Sequence, residues 1–524
     1  MLDRLNRSIL ANHLKPHERD QWENKDTPAG YTYLLQFAAH DLVHTSVANI
    51  PSEGVDRKVR NLRGAKLELE TIFGGGPAVC PHAFEAPEEH DSVRRRLRLG
   101  QPRNVQGDNL VDLDRELFRT GKRMHGKNKK KIGMTDVLIA DPRNDDNSII
   151  AQLTALFHAF YNVVLAQTRK NWSNVSGTNG KSPPLEDADV YARAVTAYAY
   201  RTILRKDLLK RLLDPEVYEV YDREYKDEGA APKFLDNPVN SESIPLEFSH
   251  AAIRIGHVMV RPRYKLNPYR GSNQTISRII RTSSRRSFNH VPLRLNYLVD
   301  WAHFFEVDPQ VTESAAFNWA AKFGLHSALD LGNVTDFPVL QKSGAGGLLL
   351  RDMVRGQAAK LWSVDGLCDL IQGRLGSGDP GMPNLPSLPG KAGRTKNICA
   401  ALKSLSDVAE HELGLDENLR INESDTSRLK QDPPLFLYVL VESQMGPSKG
   451  TRLGPLGSII MGEVFFRAMS RHPDVVGPRV ARWERKVAQV AEGVLPFVPT
   501  SMSDLIDIIE TYDPPALTVL DPLA

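Results

Sequence analysis

The sequence predicts a mainly α-helical protein, one large multi-helix unit with very little β-structure. Apolar residues recur at three-and-four spacing over long stretches, alternating strand patterns are scarce, and no segment repeats at a fixed period as solenoids and propellers require. The clearest stretch is SIIAQLTALFHAFYNVVLAQ at 148–167, where Ile149, Ile150, Leu153, Leu156, Phe157, Phe160 and Val164 form the stripe of a buried helix. Further helices are expected over 188–213, 313–323, 346–361, 398–411 and 455–470. The interruptions are FGGGP at 73–77, KRMHGKNKKK at 122–131, NWSNVSGTNGKSPP at 171–184 and GRLGSGDPGMPNLPSLPGKAG at 373–393. They read as surface loops. No boundary divides the helical body, which is assigned to 31–500, with an amino-terminal arm at 1–30 and a tail at 501–524.

At 524 residues and 41% hydrophobic content, the chain can bury a large core. A formal charge of +3 is small for this length, so dominant attraction to nucleic acid or to an anionic membrane is not implied. The lysine run at 127–131 reads as a solvated loop, with anionic-surface binding as the alternative. Cys80, Cys368 and Cys399 are far apart and form no CxxC pair, which argues against a disulfide framework or a zinc knuckle. The start, MLDRLNRSILANHLKPHERDQW, lacks the apolar core of a secretory signal, and no run of about 18 apolar residues suggests a transmembrane segment. A cytoplasmic protein is expected, signal-independent secretion remaining open.

LLQFAAHDLVHTS, residues 34–46, places Gln36 and His40 one helical turn apart on one face, while Asp41 points well away from it. His44, a further turn on, is the natural decoy. In EFSHAAIRIGHVMVRPRYKLN, 247–267, Arg254 and His257 stand at i and i+3, and Gly256 would let the histidine approach something flat and bulky. ADPRNDDNSII, 140–150, reads as a helix start that exposes Arg143. Two histidines on separate helices with an arginine suggest an iron porphyrin held between them, one imidazole on iron and the other free to handle protons. Each residue has a plainer reading. His40 could be an ordinary helix histidine, Arg143 could bridge Asp145 and Asp146, and Asp352 could pair with Arg351 or Arg355.

Five segments in order resemble the animal haem peroxidase superfamily, the myeloperoxidase and cyclooxygenase-like fold, in its bacterial type. QFAAHD resembles the distal motif, implying Gln36, His40 and Asp41 in those roles. DPRNDDN resembles the segment with the distal arginine, Arg143, and Tyr161 and Asn162 stand at the family's histidine–asparagine pair. RIGHVMVRP resembles the proximal segment, implying His257 as axial ligand of the haem iron and Arg254 as a propionate partner. LLLRDMVRG, 348–356, resembles the segment that accepts the proximal imidazole N–H, with Asp352 at the asparagine's place and Arg355 three residues on. PPLFLYVLVESQ and RLGPLGSIIMGE, 433–463, resemble the carboxy-terminal signature.

The resemblance implies a haem-dependent peroxidase that reduces hydrogen peroxide through a ferryl state and oxidises a small organic donor or a halide. The alternatives are a haem oxygenating or coupling enzyme and a non-enzymatic haem-binding or peroxide-sensing protein. In such a site His40 takes and returns the peroxide proton, Arg143 stabilises the leaving oxygen, and Gln36 hydrogen-bonds peroxide, water or halide. Asp352 in place of an amide implies more imidazolate character at His257. The positions that form haem ester links in mammalian members are Ala39 and Asp146. Haem b held mainly without covalent bonds is therefore expected, with one ester through Asp146 as the minor alternative. Asn147 excludes a sulfonium link. Arg254 stands where cyclooxygenases carry a radical-forming tyrosine, so fatty-acid dioxygenation is not expected. The family's calcium site maps onto Asp41, Glu68 and Glu70, although both glutamates could equally be solvated or pair with Lys66 and Arg63.

Overall fold

The computed structural model describes residues 1–46, 60–61, 63–64, 66–87, 94–106, 109–125, 130–173, 185–228, 234–235, 244–285, 290–333, 347–375, 385, 388–413, 420–470 and 478–523. The glycine- and proline-rich stretch at 373–393 and the loop at 171–184 fall largely outside them. The protein is mainly α-helical, and its described strands form only two-stranded pairs.

At the centre lies the helix Ser148–Lys170, started by Asn147, whose side chain accepts the N–H groups of Ile149 and Ile150. By length and composition it could cross a membrane, but here it is buried on nearly every side. Gly30–Leu42 packs along it, with Phe37 stacked on Phe157 at 4.8 Å and Tyr200 edge-on to both rings. The helices Leu348–Ala358, Lys391–Leu413, Leu435–Met445 and Pro455–Met469 complete the core around the short 3₁₀ segment Ala252–Met259. The long helix expected over 188–213 spans Leu185–Ile203 and then widens into a π-turn at Leu204–Leu209. There Asp207 is turned inward to accept from Tyr31, Arg211 and the Met502 N–H.

Two expectations are corrected. Residues 313–323 are not a helix, because Trp319–Ala321 pairs antiparallel with Glu23–Pro28. The lysine-rich stretch is not a plain loop, since Arg119–His125 and Lys130–Val137 form an antiparallel pair around the undescribed 126–129. Both chain ends contribute to the core. Leu5 and Ile9 of Leu2–Ala11, and Leu505 and Ile509 of Met502–Tyr512, are fully buried in the same core as the central helix.

A buried ion cluster anchors the turn that enters the central helix. Arg119 donates to Asp145 at 2.9 and 2.6 Å and to Glu116 at 2.7 Å, and the Ser284 N–H adds a bond to Asp145 at 2.9 Å. Arg119→Met strands two buried carboxylates and is expected to cost about 3–5 kcal/mol. Urea unfolding checks this, and a loss below about 1 kcal/mol would show that water already screens the cluster.

Candidate active site

The helix Gly30–Leu42 presents His40 in its last turn, and the turn Pro142–Asp145 lies against it. Asp141 starts that turn by accepting the Arg143 N–H, which brings Asn144 beneath the imidazole. Asn144 Oδ1 lies 2.8 Å from His40 Nδ1. With the amide oxygen facing the ring, Nδ1 carries the proton and Nε2 is left as the basic nitrogen. Burial, followed by the nearby Arg143 charge, pushes the His40 pKa down to about 4. The ring is therefore neutral at neutral pH. Gln36, one turn earlier, accepts from Asn147 Nδ2 at 3.4 Å, which ties it to the cap of the central helix.

The adjoining segment Ala252–Met259 carries His257. A Cβ on Gly256 would lie 3.2 Å from Leu35 Cδ2, so this glycine lets the Gly30–Leu42 helix sit directly on the segment. The neighbour that Gly256 admits so closely is Leu35. His257 donates Nδ1–H to Asp352 Oδ2 at 2.6 Å. Its side chain remains 31% exposed although Ile255, Val258 and Met259 are fully buried, so part of the ring stays accessible. Burial opposes ionisation of Asp352, but the facing His257, Arg254 and Arg351 outweigh it and hold the carboxyl below its ordinary pKa.

Arg143 is placed differently from the expectation. Its Nε donates to Asp141 at 3.0 Å, Nη2 to the His40 carbonyl at 2.6 Å and to Asp141 at 2.6 Å, and Nη1 to the Val43 carbonyl. Carbonyls at a helix end lack intrahelical partners and carry partial negative charge, so the guanidinium caps the helix that bears His40 instead of facing a bound peroxide. Arg254 is held by protein partners. Its Nη1 donates to Asp352 Oδ1 at 3.1 Å and its Nε to the Ser249 carbonyl at 3.0 Å. Arg355 lies half-buried on Leu348–Ala358, and Asp146 stands 3.6 Å from Arg285.

The three residues of the calcium expectation have the following partners. Asp41 is fully buried and accepts the N–H groups of Leu69 at 3.0 Å and Thr71 at 3.4 Å. Glu70 pairs with Arg63 at 3.0 Å, and Glu68 lies 3.8 Å from Arg201. Among the described residues no three metal-ligating side chains converge. Asp41 is taken up by backbone N–H groups and Glu70 by Arg63, while Glu68 comes no closer than 3.8 Å to Arg201. Calcium or EGTA is expected to leave the melting temperature unchanged within about 1 °C, whereas an ion at 100 times its Kd would add about 2.7 kcal/mol.

His44 is exposed and its backbone bonds Asn61, so it is not brought to the site. Tyr161 donates to Asp189 at 2.6 Å, and Asn162 binds the Leu97 backbone through both amide atoms at 2.9 Å. They are structural. Asn144 is the site residue that sequence reasoning missed. The only available signal was its place inside DPRNDDN, one residue after Arg143. Asn144→Ala frees the imidazole to change tautomer and is expected to slow proton transfer by His40 roughly tenfold, as loss of a ring-orienting partner commonly does. Stopped-flow rates check this, and an unchanged rate would show that Asn144 does not set the proton's position.

The chain shares its fold with a peroxidase and with fatty acid alpha-dioxygenases. Among solved structures it is similar to Peroxidase A from Dictyostelium discoideum, with a TM-score of 0.52 and 13% identity, covering 93% of this chain and 88% of that one. It is also similar to fatty acid alpha-dioxygenases. For the Oryza sativa structure the TM-score is 0.56 with 12% identity over 97% of this chain and 78% of that one, and for Arabidopsis thaliana 0.52 with 12% over 97% and 74%. No family model matches the chain, and no curated protein matches it by sequence. At such identities the likeness is one of fold.

The donor set fits a haem. Two imidazoles on adjoining elements are each anchored through Nδ1, one by an amide and one by a carboxylate, which leaves Nε2 of each for other work.

Proposed function

We propose that the chain is a haem-dependent peroxidase, an oxidoreductase that reduces hydrogen peroxide and oxidises a small organic donor or a halide. The observation that carries this is the asymmetric anchoring of the two imidazoles. His257, backed by the Asp352 carboxylate, is built to be an electron-rich ligand, while His40, backed by a neutral amide and held neutral, is built to be a base. His257 would hold haem b, which supplies the redox chemistry of its iron. Asp146 beside Arg285 is the remaining candidate for a covalent ester.

The chain's own residues then handle the protons. His40 Nε2 accepts a proton from peroxide and returns it to the departing oxygen, with the ring orientation held by Asn144. Gln36, on the same helix face, orients the peroxide through its side-chain amide. Arg143 acts indirectly by fixing the end of the His40 helix. Charge on the departing oxygen is therefore relieved mainly by proton return, not by a guanidinium.

The fold neighbours support a second reading, oxygenation of a bound organic substrate. Arg254 speaks against it, because a charged residue held by Asp352 stands where hydrogen abstraction would need a tyrosine. The test is to load the protein with haemin and record its absorption before and milliseconds after adding peroxide. A stoichiometric Soret band that shifts with peroxide and returns when a phenolic donor is added supports the peroxidase. No stoichiometric haem, or a spectrum indifferent to peroxide, overturns it.

A further inference from the structure

Asp352 is fully buried, and its two oxygens serve different donors. Oδ2 accepts the His257 Nδ1–H at 2.6 Å, and Oδ1 accepts from Arg254 Nη1 at 3.1 Å. Arg254 is itself fixed from behind, because its Nε donates to the Ser249 carbonyl at 3.0 Å. The three groups thus form a line of guanidinium, carboxylate and imidazole. A carboxylate facing an imidazole N–H alone draws the proton toward itself and makes the ring a stronger electron donor. A guanidinium on the other oxygen withdraws charge from the carboxylate and weakens that pull.

We infer that Arg254 is a positioning residue that tempers the electron donation of His257 through Asp352. This rests on the reading of His257 as the iron ligand. Chain geometry explains why the arrangement forms. Arg254 and His257 stand one 3₁₀ turn apart, where residues at i and i+3 align, so both reach the single carboxylate from the Leu348–Ala358 helix. The buried carboxylate is thereby shared between two donors and not committed to the imidazole alone. Asp352 therefore raises donor strength less than a carboxylate at that position would by itself.

The test uses the full chain loaded with haemin and compares Arg254→Gln, Arg254→Lys, Asp352→Asn and the double variant Arg254→Gln/Asp352→Asn. Two quantities are read: the iron(III)/iron(II) midpoint potential and the iron–imidazole stretching frequency of the reduced protein by resonance Raman. Arg254→Gln is expected to lower the potential and raise the frequency, because Asp352 then acts on His257 alone. Asp352→Asn is expected to move both the opposite way. Arg254→Lys should fall between Arg254→Gln and the parent, and the double variant should resemble Asp352→Asn, since Arg254 acts only through the carboxylate. Loosened packing would shift both single variants in one direction, and that result overturns the inference. Unchanged potential and frequency in Arg254→Gln with haem still bound also overturn it. An iron–imidazole band that persists in His257→Ala overturns the ligand reading, and the relay with it.

Discussion

His40→Ala is expected to slow the reaction of the haem-loaded protein with hydrogen peroxide by roughly 10²–10⁴-fold, the range in which a positioned general acid–base contributes. Haem content should not change, because His40 is anchored by Asn144 and has no share in the His257–Asp352 pair. The pH profile follows from the direction of the His40 shift. Its pKa is lowered to about 4, so the neutral, proton-accepting form prevails at all higher pH and is lost only as pH falls through that value. The rate should therefore be level from about pH 8 to pH 5 and decline below it. Stopped-flow measurement of the peroxide-dependent Soret change across this range is the check. A variant as fast as the parent, or a parent whose rate drops near pH 6.5, would mean that His40 is not the base.

The second large effect concerns His257. His257→Ala removes the imidazole and leaves Asp352 as a buried carboxylate facing a hole, with Arg254 as its remaining strong partner. Haem affinity is expected to fall by more than about 100-fold, beyond the loss typical when a group that only orients a ligand is removed. Added imidazole should restore part of the binding, because the vacated space keeps an acceptor on Asp352 and stays partly accessible. Haemin titration followed at the Soret band measures both. Equal affinity in the variant and the parent would remove His257 from the ligand role, and recovery with imidazole would show that the pocket survives the substitution.

Much of the scaffold was legible in local pattern. The 148–167 stripe became Ser148–Lys170 because apolar spacing and an Asn147 cap act within a few residues of chain. The expected helices at 346–361 and 455–470 appear as Leu348–Ala358 and Pro455–Met469 for the same reason. Where pattern misled, a distant partner decided. Residues 319–321 are strand because 23–28 lies beside them. The chain ends join the core because their apolar faces find the central body. The juxtaposition of His257 with Asp352, 95 residues apart, was reachable only through the resemblance of two segments.

The arginines and the carboxylates around Asp41 show why the rest was hidden. A long side chain with several donors goes to whichever acceptors the folded backbone leaves unsatisfied, and those are defined only when separate segments meet. Arg143 turns to the carbonyls that end the Gly30–Leu42 helix, and Asp41 turns to the N–H groups of a loop 28 residues away. Residue type and spacing were enough to specify helices, caps and the two candidate imidazoles, because those depend on neighbours along the chain. Which nitrogen each imidazole presents, where the guanidiniums point and which partners the three carboxylates meet were decided by tertiary contacts, because hydrogen bonding is directional and its partners arrive from elsewhere in the sequence.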